Sequence, residues 1–369
     1  MPKRIENGQI IATLTYQCDL SCRYCLRDAG PQKLDRVDGH RGEMPLELFG
    51  DILRLAASSG YTGISLTGGE VTRYPHLHAV LDLVRELGWR PWIETHGVFP
   101  STDPIDQILA RCSPSWVLIS LDGQQAAQHD RLRGHGTFVA ALRTAQYLVA
   151  RGVPVWINAV VTPESFNTRE EVIGFVQWAQ GWGAGRVCFS RVVDSGRGIE
   201  RGRWELDPYK KLWLRRLLDE HGMWDGFVTH LLHYKGDNWD CSRLFDTLTL
   251  SPSGFHPCVF QNGIVLAPLE AYREVVPATA RGRQLNWFRG AALIEPPDDF
   301  SPRDAFRQQR QAAGLLSSEP LIYSCPECTS DFRHLVEQAR GWAISDVELG
   351  PPPKPSPRPP DSAELVWFG

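Results

Sequence analysis

The chain has 369 residues, 42% of them hydrophobic and 22% charged, with a formal net charge of -4. That length exceeds what one hydrophobic core usually organises, so a large domain with a smaller companion is expected. The mildly acidic balance offers no broad basic surface for a phosphate backbone, which argues against nucleic acid as a partner, and no window approaches the roughly eighteen apolar residues of a membrane span.

The opening residues, MPKRIENGQIIATLTY, hold a short apolar run that reads as a strand and no small-residue cleavage site. A cytoplasmic setting is expected, where clustered cysteines bind metal more often than they pair. Six strand candidates follow in order: IIATLTY, GISLTGG, PWIETHG, WVLISLDG, PVWINAVVT and RVCFSRVV. Helical patterns between and after them fall at roughly Pro45–Ser59, Pro75–Leu87, Pro104–Ala110, Thr137–Arg151, Arg169–Gly181 and Asp207–His221, several opening on a Pro or Asp start signal.

This alternation predicts an α/β fold with a parallel sheet and right-handed crossovers, whose chemistry gathers at the carboxyl ends of the strands. The residues there are polar or metal-ligating. After the first strand come Cys18, Cys22 and Cys25; after the second, Thr67-Gly68-Gly69-Glu70; after the third, Thr95-His96-Gly97. Ser120 and Asp122 end the fourth, the fifth carries Asn158, and the sixth ends in Ser190-Arg191. From about Gly222 the alternation fades, and Cys241, Cys258, Cys325 and Cys328 appear. The expected organisation is a barrel domain over 1–222, a smaller α+β unit over 223–348 with a helix around Arg303–Gln311, and a Pro-rich tail over 349–369.

Three thiolates in a Cys-x3-Cys-x2-Cys array suit an iron–sulfur cubane that normally takes four, leaving one iron open. A zinc site needs a fourth ligand, and neither Asp28 nor His40 completes a usual spacing. A redox pair would use Cys22 and Cys25 and have no need of Cys18. The array, with Tyr24 before its last cysteine and on a loop after the first strand, resembles the signature of the radical S-adenosylmethionine (SAM) superfamily. The resemblance implies a partial (β/α)6 TIM-type barrel and a 4Fe–4S cluster on Cys18, Cys22 and Cys25, its open iron chelated by SAM. It further implies reductive cleavage to a 5′-deoxyadenosyl radical that abstracts a hydrogen atom, with Tyr24 near the adenine.

Other segments extend the likeness. Gly68-Gly69-Glu70 is similar to the family's GGE segment, where the glycines admit the methionyl ammonium and the carboxylate contacts it. Thr95-His96-Gly97 stands where many relatives have Thr-Asn-Gly, so His96 is a departure. Ser120-Leu121-Asp122-Gly123 and the run His129–Phe138 resemble one large subgroup, SPASM/twitch, as do Asn158 and Arg191, the latter a partner for the SAM carboxylate. Taken singly, each of these polar residues also reads as a cap or turn residue.

Cys241, the SPSG at 251–254, Cys258 and the Cys325-Pro326-Glu327-Cys328 pair resemble the subgroup's one-cluster (twitch) form, implying one auxiliary 4Fe–4S cluster; four thiolates also satisfy a structural zinc. Cys112 and Cys188 are either buried small hydrophobes or hydrogen donors to a substrate radical. Alternation sets Cys188 opposite Val187, Phe189 and Arg191, so an inward Arg191 implies an outward Cys188. Trp92 and Trp156 are placed to line a pocket.

The expected function is that of a radical SAM oxidoreductase or maturase in natural-product biosynthesis, acting by oxidation, epimerisation or cross-linking on a small molecule or peptide. Flavodoxin or ferredoxin is the expected electron donor. About a dozen residues precede the end of the first strand, too few for a fused leader-binding domain, which leans toward a small molecule or toward a maturase that works with a separate leader-binding protein. The rival of another class is a non-catalytic metal-binding scaffold.

Overall fold

The β-branched runs and amphipathic stretches alternate in space as they do along the chain. The computed structural model describes residues 8–31, 42–192, 196–199, 203–204, 206–221, 226–230, 247–256, 265 and 267–280. Cys241, Cys258, Cys325, Cys328, the helix expected near 303–311 and the Pro-rich segment lie outside the described residues.

Six strands form the expected parallel series: β1 (Gly8–Thr13), β2 (Tyr61–Thr67), β3 (Trp92–Thr95), β4 (Trp116–Ser120), β5 (Val155–Val161) and β6 (Arg186–Arg191). The helices are α1 (Leu46–Ser58), α2 (Leu77–Glu86), α3 (Asp103–Leu109), α4 (Ala126–Arg133), α5 (Thr137–Ala150), α6 (Arg169–Gly181), α7 (Pro208–Glu220) and α8 (Tyr272–Ala280). Their starts follow ordinary capping chemistry. Thr168 accepts the Glu171 N–H ahead of α6, and Asp207 accepts the Tyr209 N–H at 2.7 Å ahead of α7, whose first residue is Pro208. The polar α4 has little apolar periodicity, which is why only its neighbour α5 was expected.

The sheet is larger than six strands. β7 (Val228–His230) adds beside β6, β8 (Thr247–Ser251) beside the far side of β1, and β9 (Gly254–His256) antiparallel to β8. The order is β7-β6-β5-β4-β3-β2-β1-β8-β9. Described strands beyond residue 222 therefore belong to the same sheet as the barrel. Among the described residues no pairing joins β7 to β9, so this is a partial TIM-type barrel.

Residues in register on adjacent strands share a face. Ile64, Ile93, Val117, Ile119, Ile157, Val187 and Phe189, all 2% exposed or less, turn to the helices, where Phe175 of α6 packs 6.0 Å from Phe189. The inner face carries the alternate set. Trp92, Trp116 and Trp156 stack there with ring centroids 5.0 and 4.4 Å apart, and the Arg186 guanidinium covers Trp156 at 4.4 Å. The two tryptophans expected to line a pocket thus form, with Trp116, a ladder at the amino-terminal end of the strands.

Cys188 requires a correction. It pairs with Asn158, which pairs with Ser120, so all three lie in one row on the inner face. Val187 and Phe189 take the helix side, and Arg191 follows their parity at the strand end. The alternation was sound; its inside and outside were reversed, because the end residue Arg191 was used to orient the strand rather than the fully buried Val187 and Phe189. Cys112 lies off this face, with its thiol donating to the Ile108 carbonyl at the end of α3.

Candidate cluster and cofactor site

The loop after β1 carries the three thiols into the rim. Cys18 and Cys22 are buried and Cys25 half-buried, in an apolar patch with Leu20 and Ala29. Asp28, at φ 48°, turns the chain back so that the Ala29 N–H points at Cys25 Sγ, 3.4 Å away; the Leu20 N–H lies 3.4 Å from Cys18 Sγ. Burial pushes the Cys18 and Cys22 thiols up; the neighbouring Leu20 N–H acts against this at Cys18, and the Arg133 and Arg197 charges act against it at Cys22.

This loop is held from several sides. Gly68 and Gly69 follow β2, and the Gly69 and Glu70 N–H groups donate to the Thr15 and Gln17 carbonyls at 2.7 and 2.8 Å. The glycines are required by this backbone-to-backbone approach: a Cβ on Gly69 would overlap the Gln17 carbonyl and come within 2.8 Å of Ala29 Cβ. Gly69→Ala is expected to destabilise the fold by about 1–3 kcal/mol through this overpacking, seen as a lower urea midpoint with an unchanged slope.

Glu70 is buried, and its carboxylate is filled from within. It accepts from Thr95 Oγ1 at 2.8 Å, from the His96 N–H at 2.9 Å and from the Thr72 N–H and hydroxyl. Glu70 therefore ties the β2 loop to the β3 loop. His96 Nδ1 accepts the Val98 N–H at 2.8 Å, which places the neutral ring's proton on Nε2. That nitrogen lies 3.3 Å from Glu70 Oε2 and 3.7 Å from Asp19 Oδ2, and has no hydrogen-bond partner among the described residues.

Asp122 is also occupied. Fully buried after β4, it accepts from the Tyr24 hydroxyl, from Arg133 Nε at 2.6 Å and Nη2 at 3.3 Å, and from the Val160 N–H at 3.0 Å. Burial alone would raise its pKa, but the Arg133 charge, His129 and these hydrogen bonds outweigh that and hold the carboxyl below its usual range. Tyr24 is pinned by that bond, with the Arg133 guanidinium over its ring at 5.4 Å and Trp204 packed edge-on at 6.0 Å. Asn158 Oδ1 accepts from Ser190 Oγ at 2.8 Å, beside half-buried Ser120.

His129 accepts the Asp122 N–H through Nδ1 at 3.1 Å. Burial lowers its pKa to about 4, with Arg133 adding to this and the carboxylates of Asp122 and Asp130 opposing it. A histidine whose folded pKa lies below the unfolded one stabilises the fold fully above about pH 6.5 and loses that contribution as pH falls toward 4. The loss is on the order of 3 kcal/mol. His129→Gln should flatten stability between pH 6.5 and 4 in urea melts, whereas wild type weakens across that window.

Arginines absent from the sequence expectations reach the same region. Arg27 donates from Nε to Thr13 Oγ1 at 3.1 Å; Arg133 holds Asp122; Arg197 grips the loop carbonyls. Among the described residues the Nη2 atoms of Arg27 and Arg191 are buried without a hydrogen-bond partner, although Arg191 Nη1 reaches the Val192 carbonyl at 3.4 Å. Arg27 lies two positions past Cys25, the one local signal that could have marked it.

The sequence profile of the Radical SAM superfamily matches residues 13–176. Over these residues the chain is similar to a radical SAM domain. The subtilosin biosynthesis protein AlbA of Bacillus subtilis is 25% identical over 251 residues, covering 66% of this chain and 53% of AlbA. The PqqA peptide cyclase of Streptomyces rochei is 25% identical over 365 residues, covering 95% and 96%. The fold is similar to that of Streptococcus suis SuiB solved with S-adenosylmethionine, with a TM-score of 0.57 and 19% identity over 75% of this chain and 68% of that one; SuiB has also been solved with the precursor peptide SuiA. The chain spans about half the length of most of the curated relatives it matches.

The match to the radical SAM model implies a 4Fe–4S cluster and SAM, and the residues present fit both. N–H donors aimed at two of the three sulfurs, with two guanidinium groups near the third, are what anionic thiolates require. The thiols raised by burial need a metal's charge to ionise. No three His, Cys, Asp or Glu side chains among the described residues gather around a single ion; a cubane, in which each thiolate takes its own iron, does not ask for that. The inner row Ser120–Asn158 suits the polar groups of SAM, whereas Arg191, with the parity of Val187 and Phe189, does not share that face.

Proposed function

We propose that this chain binds a 4Fe–4S cluster through Cys18, Cys22 and Cys25, and that it takes a hydrogen atom from a peptide during maturation of a natural product. The single observation that carries this is the buried three-thiol loop at the end of β1, with main-chain N–H groups directed at Cys18 and Cys25. When bound, the cluster and SAM supply a 5′-deoxyadenosyl radical. The chain's own residues bind and shield. Ser120 and Asn158, on the inner face, hold the polar end of SAM. Glu70, with Thr95 and His96, fixes the two loops that face it. Asp122, Arg133 and Tyr24 keep the cysteine loop in place. The tryptophan ladder lines the inner face below.

A peptide is favoured over a small molecule because two of these relatives, the PqqA peptide cyclase and the bacteriocin biosynthesis protein AlbA, are named for peptide substrates or products. With leader recognition assigned to a separate protein, the net reaction is a cross-link, an oxidation or an epimerisation. Cys241, Cys258, Cys325 and Cys328 hold one auxiliary 4Fe–4S cluster, and a flavodoxin or ferredoxin supplies the electron. No helix among the described residues is long and apolar enough to cross a membrane.

The test is SAM cleavage. Anaerobically reconstituted, dithionite-reduced protein should convert SAM to methionine and 5′-deoxyadenosine, followed by mass spectrometry. Protein that holds iron and sulfide yet releases no 5′-deoxyadenosine sinks the proposal.

A further inference from the structure

The segment that follows β6 returns across the rim to the cysteine loop, 170 or so positions away in sequence, and Arg197 makes the contact. Its main-chain N–H donates to the Cys25 carbonyl at 2.9 Å. Its side chain donates from Nε to the Cys22 carbonyl at 2.7 Å, from Nη1 to Asp28 Oδ1 at 2.9 Å and from Nη2 to the Ala29 carbonyl at 2.8 Å. All three arms of the guanidinium are thus spent on one loop, and side chain and main chain together hold the carbonyls of two thiol-bearing residues, Cys22 and Cys25. Gly196, at φ 56°, lets the chain lie flat against it, since a Cβ there would overlap the Cys25 carbonyl and come within 2.6 Å of the Asp28 N–H.

Such a clamp has two physical effects. It fixes the loop before any metal arrives, because the carbonyls it holds lie within the turn carrying Cys22 and Cys25. It also places a permanent positive charge beside Cys22, and the potential of an iron–sulfur cluster follows the local charge and hydrogen bonding. A cation stabilises the reduced, more negative state.

We infer that Arg197 is a positioning residue that pre-forms the cysteine loop and raises the reduction potential of the cluster it holds. The inference rests on the cluster reading proposed above and adds to it a residue that touches neither the sulfurs nor a substrate. A purely structural role would leave the potential alone.

The experiment uses the full chain as wild type, Arg197→Gln and Arg197→Lys. In metal-free protein, alkylation of Cys22 and Cys25 by iodoacetamide, read by peptide mass spectrometry, should run at least fivefold faster in Arg197→Gln, with buried Cys112 unchanged as the control for global folding. In loaded protein at a fixed poise, the ratio of reduced to oxidised cluster, read by electron paramagnetic resonance, should fall about tenfold in Arg197→Gln, equivalent to about 59 mV for a one-electron couple. Arg197→Lys should restore most of that ratio while leaving the loop thiols more reactive. An unchanged ratio in loaded Arg197→Gln overturns the inference about the potential, and unchanged alkylation in metal-free Arg197→Gln overturns the clamp. A wild type without an iron–sulfur signal overturns the cluster reading instead, and the alkylation arm then still decides on the clamp.

Discussion

Replacing Cys18, Cys22 and Cys25 together by alanine is expected to cut the iron of anaerobically reconstituted protein from about eight to about four per chain and to abolish 5′-deoxyadenosine formation. The halving follows from two cubanes, one on these thiols and one on Cys241, Cys258, Cys325 and Cys328. The fold should survive, because an alanine fills most of the space of a buried thiol in the patch with Leu20 and Ala29, and circular dichroism provides that control. Metal content separates the alternatives that the later cysteines leave open by chemistry alone. Retention of about four irons supports a second cluster, whereas residual zinc assigns those four thiols to a structural site. Iron that does not change in the triple variant refutes the placement of the first cluster.

Asp122→Ala should be the most destabilising single change in the rim, by about 3–5 kcal/mol, because it strands the buried Arg133 guanidinium without its counter-charge. It also frees Tyr24 and removes the acceptor of the Val160 N–H. Loss of cluster loading is therefore expected even though all three cysteines remain. Adding Arg133→Met should recover a substantial part of the stability, since the cost lies mainly in the unpaired charge, and the double-mutant cycle in urea measures that coupling. If Asp122→Ala melts like wild type and loads fully, the pair does not hold the loop. The acid side follows the same logic. A carboxyl held below its usual range contributes stability that is present above that range and is lost as pH falls through its folded value.

Much of the rim was legible because the chemistry sits where a parallel sheet must put it, directly after each strand. Cys18, Cys22, Cys25, Glu70 and Asp122 all arrive at one end for that reason. What each does was less legible. A carboxylate in a GGE stretch or after a strand looks free in sequence, yet Glu70 and Asp122 are consumed by donors from other loops, Thr95 and His96 in one case and Tyr24 and Arg133 in the other. Arg197 was unreadable because its partners lie on the first loop of the domain, and no local periodicity encodes a contact of that span. β8 escaped notice for a related reason. Its TLTLS is buried on both faces, and its neighbour is the first strand of the chain.

That last pairing bears on the order of assembly. β1 takes β2 on one side about fifty residues later, but its other edge stays open until Thr247–Ser251 has been synthesised. The pairing that completes the platform bearing the three thiols is thus one of long sequence separation, the kind of contact that slows folding. A fragment ending near residue 222 would present β1 as a bare edge, prone to pair with a neighbour.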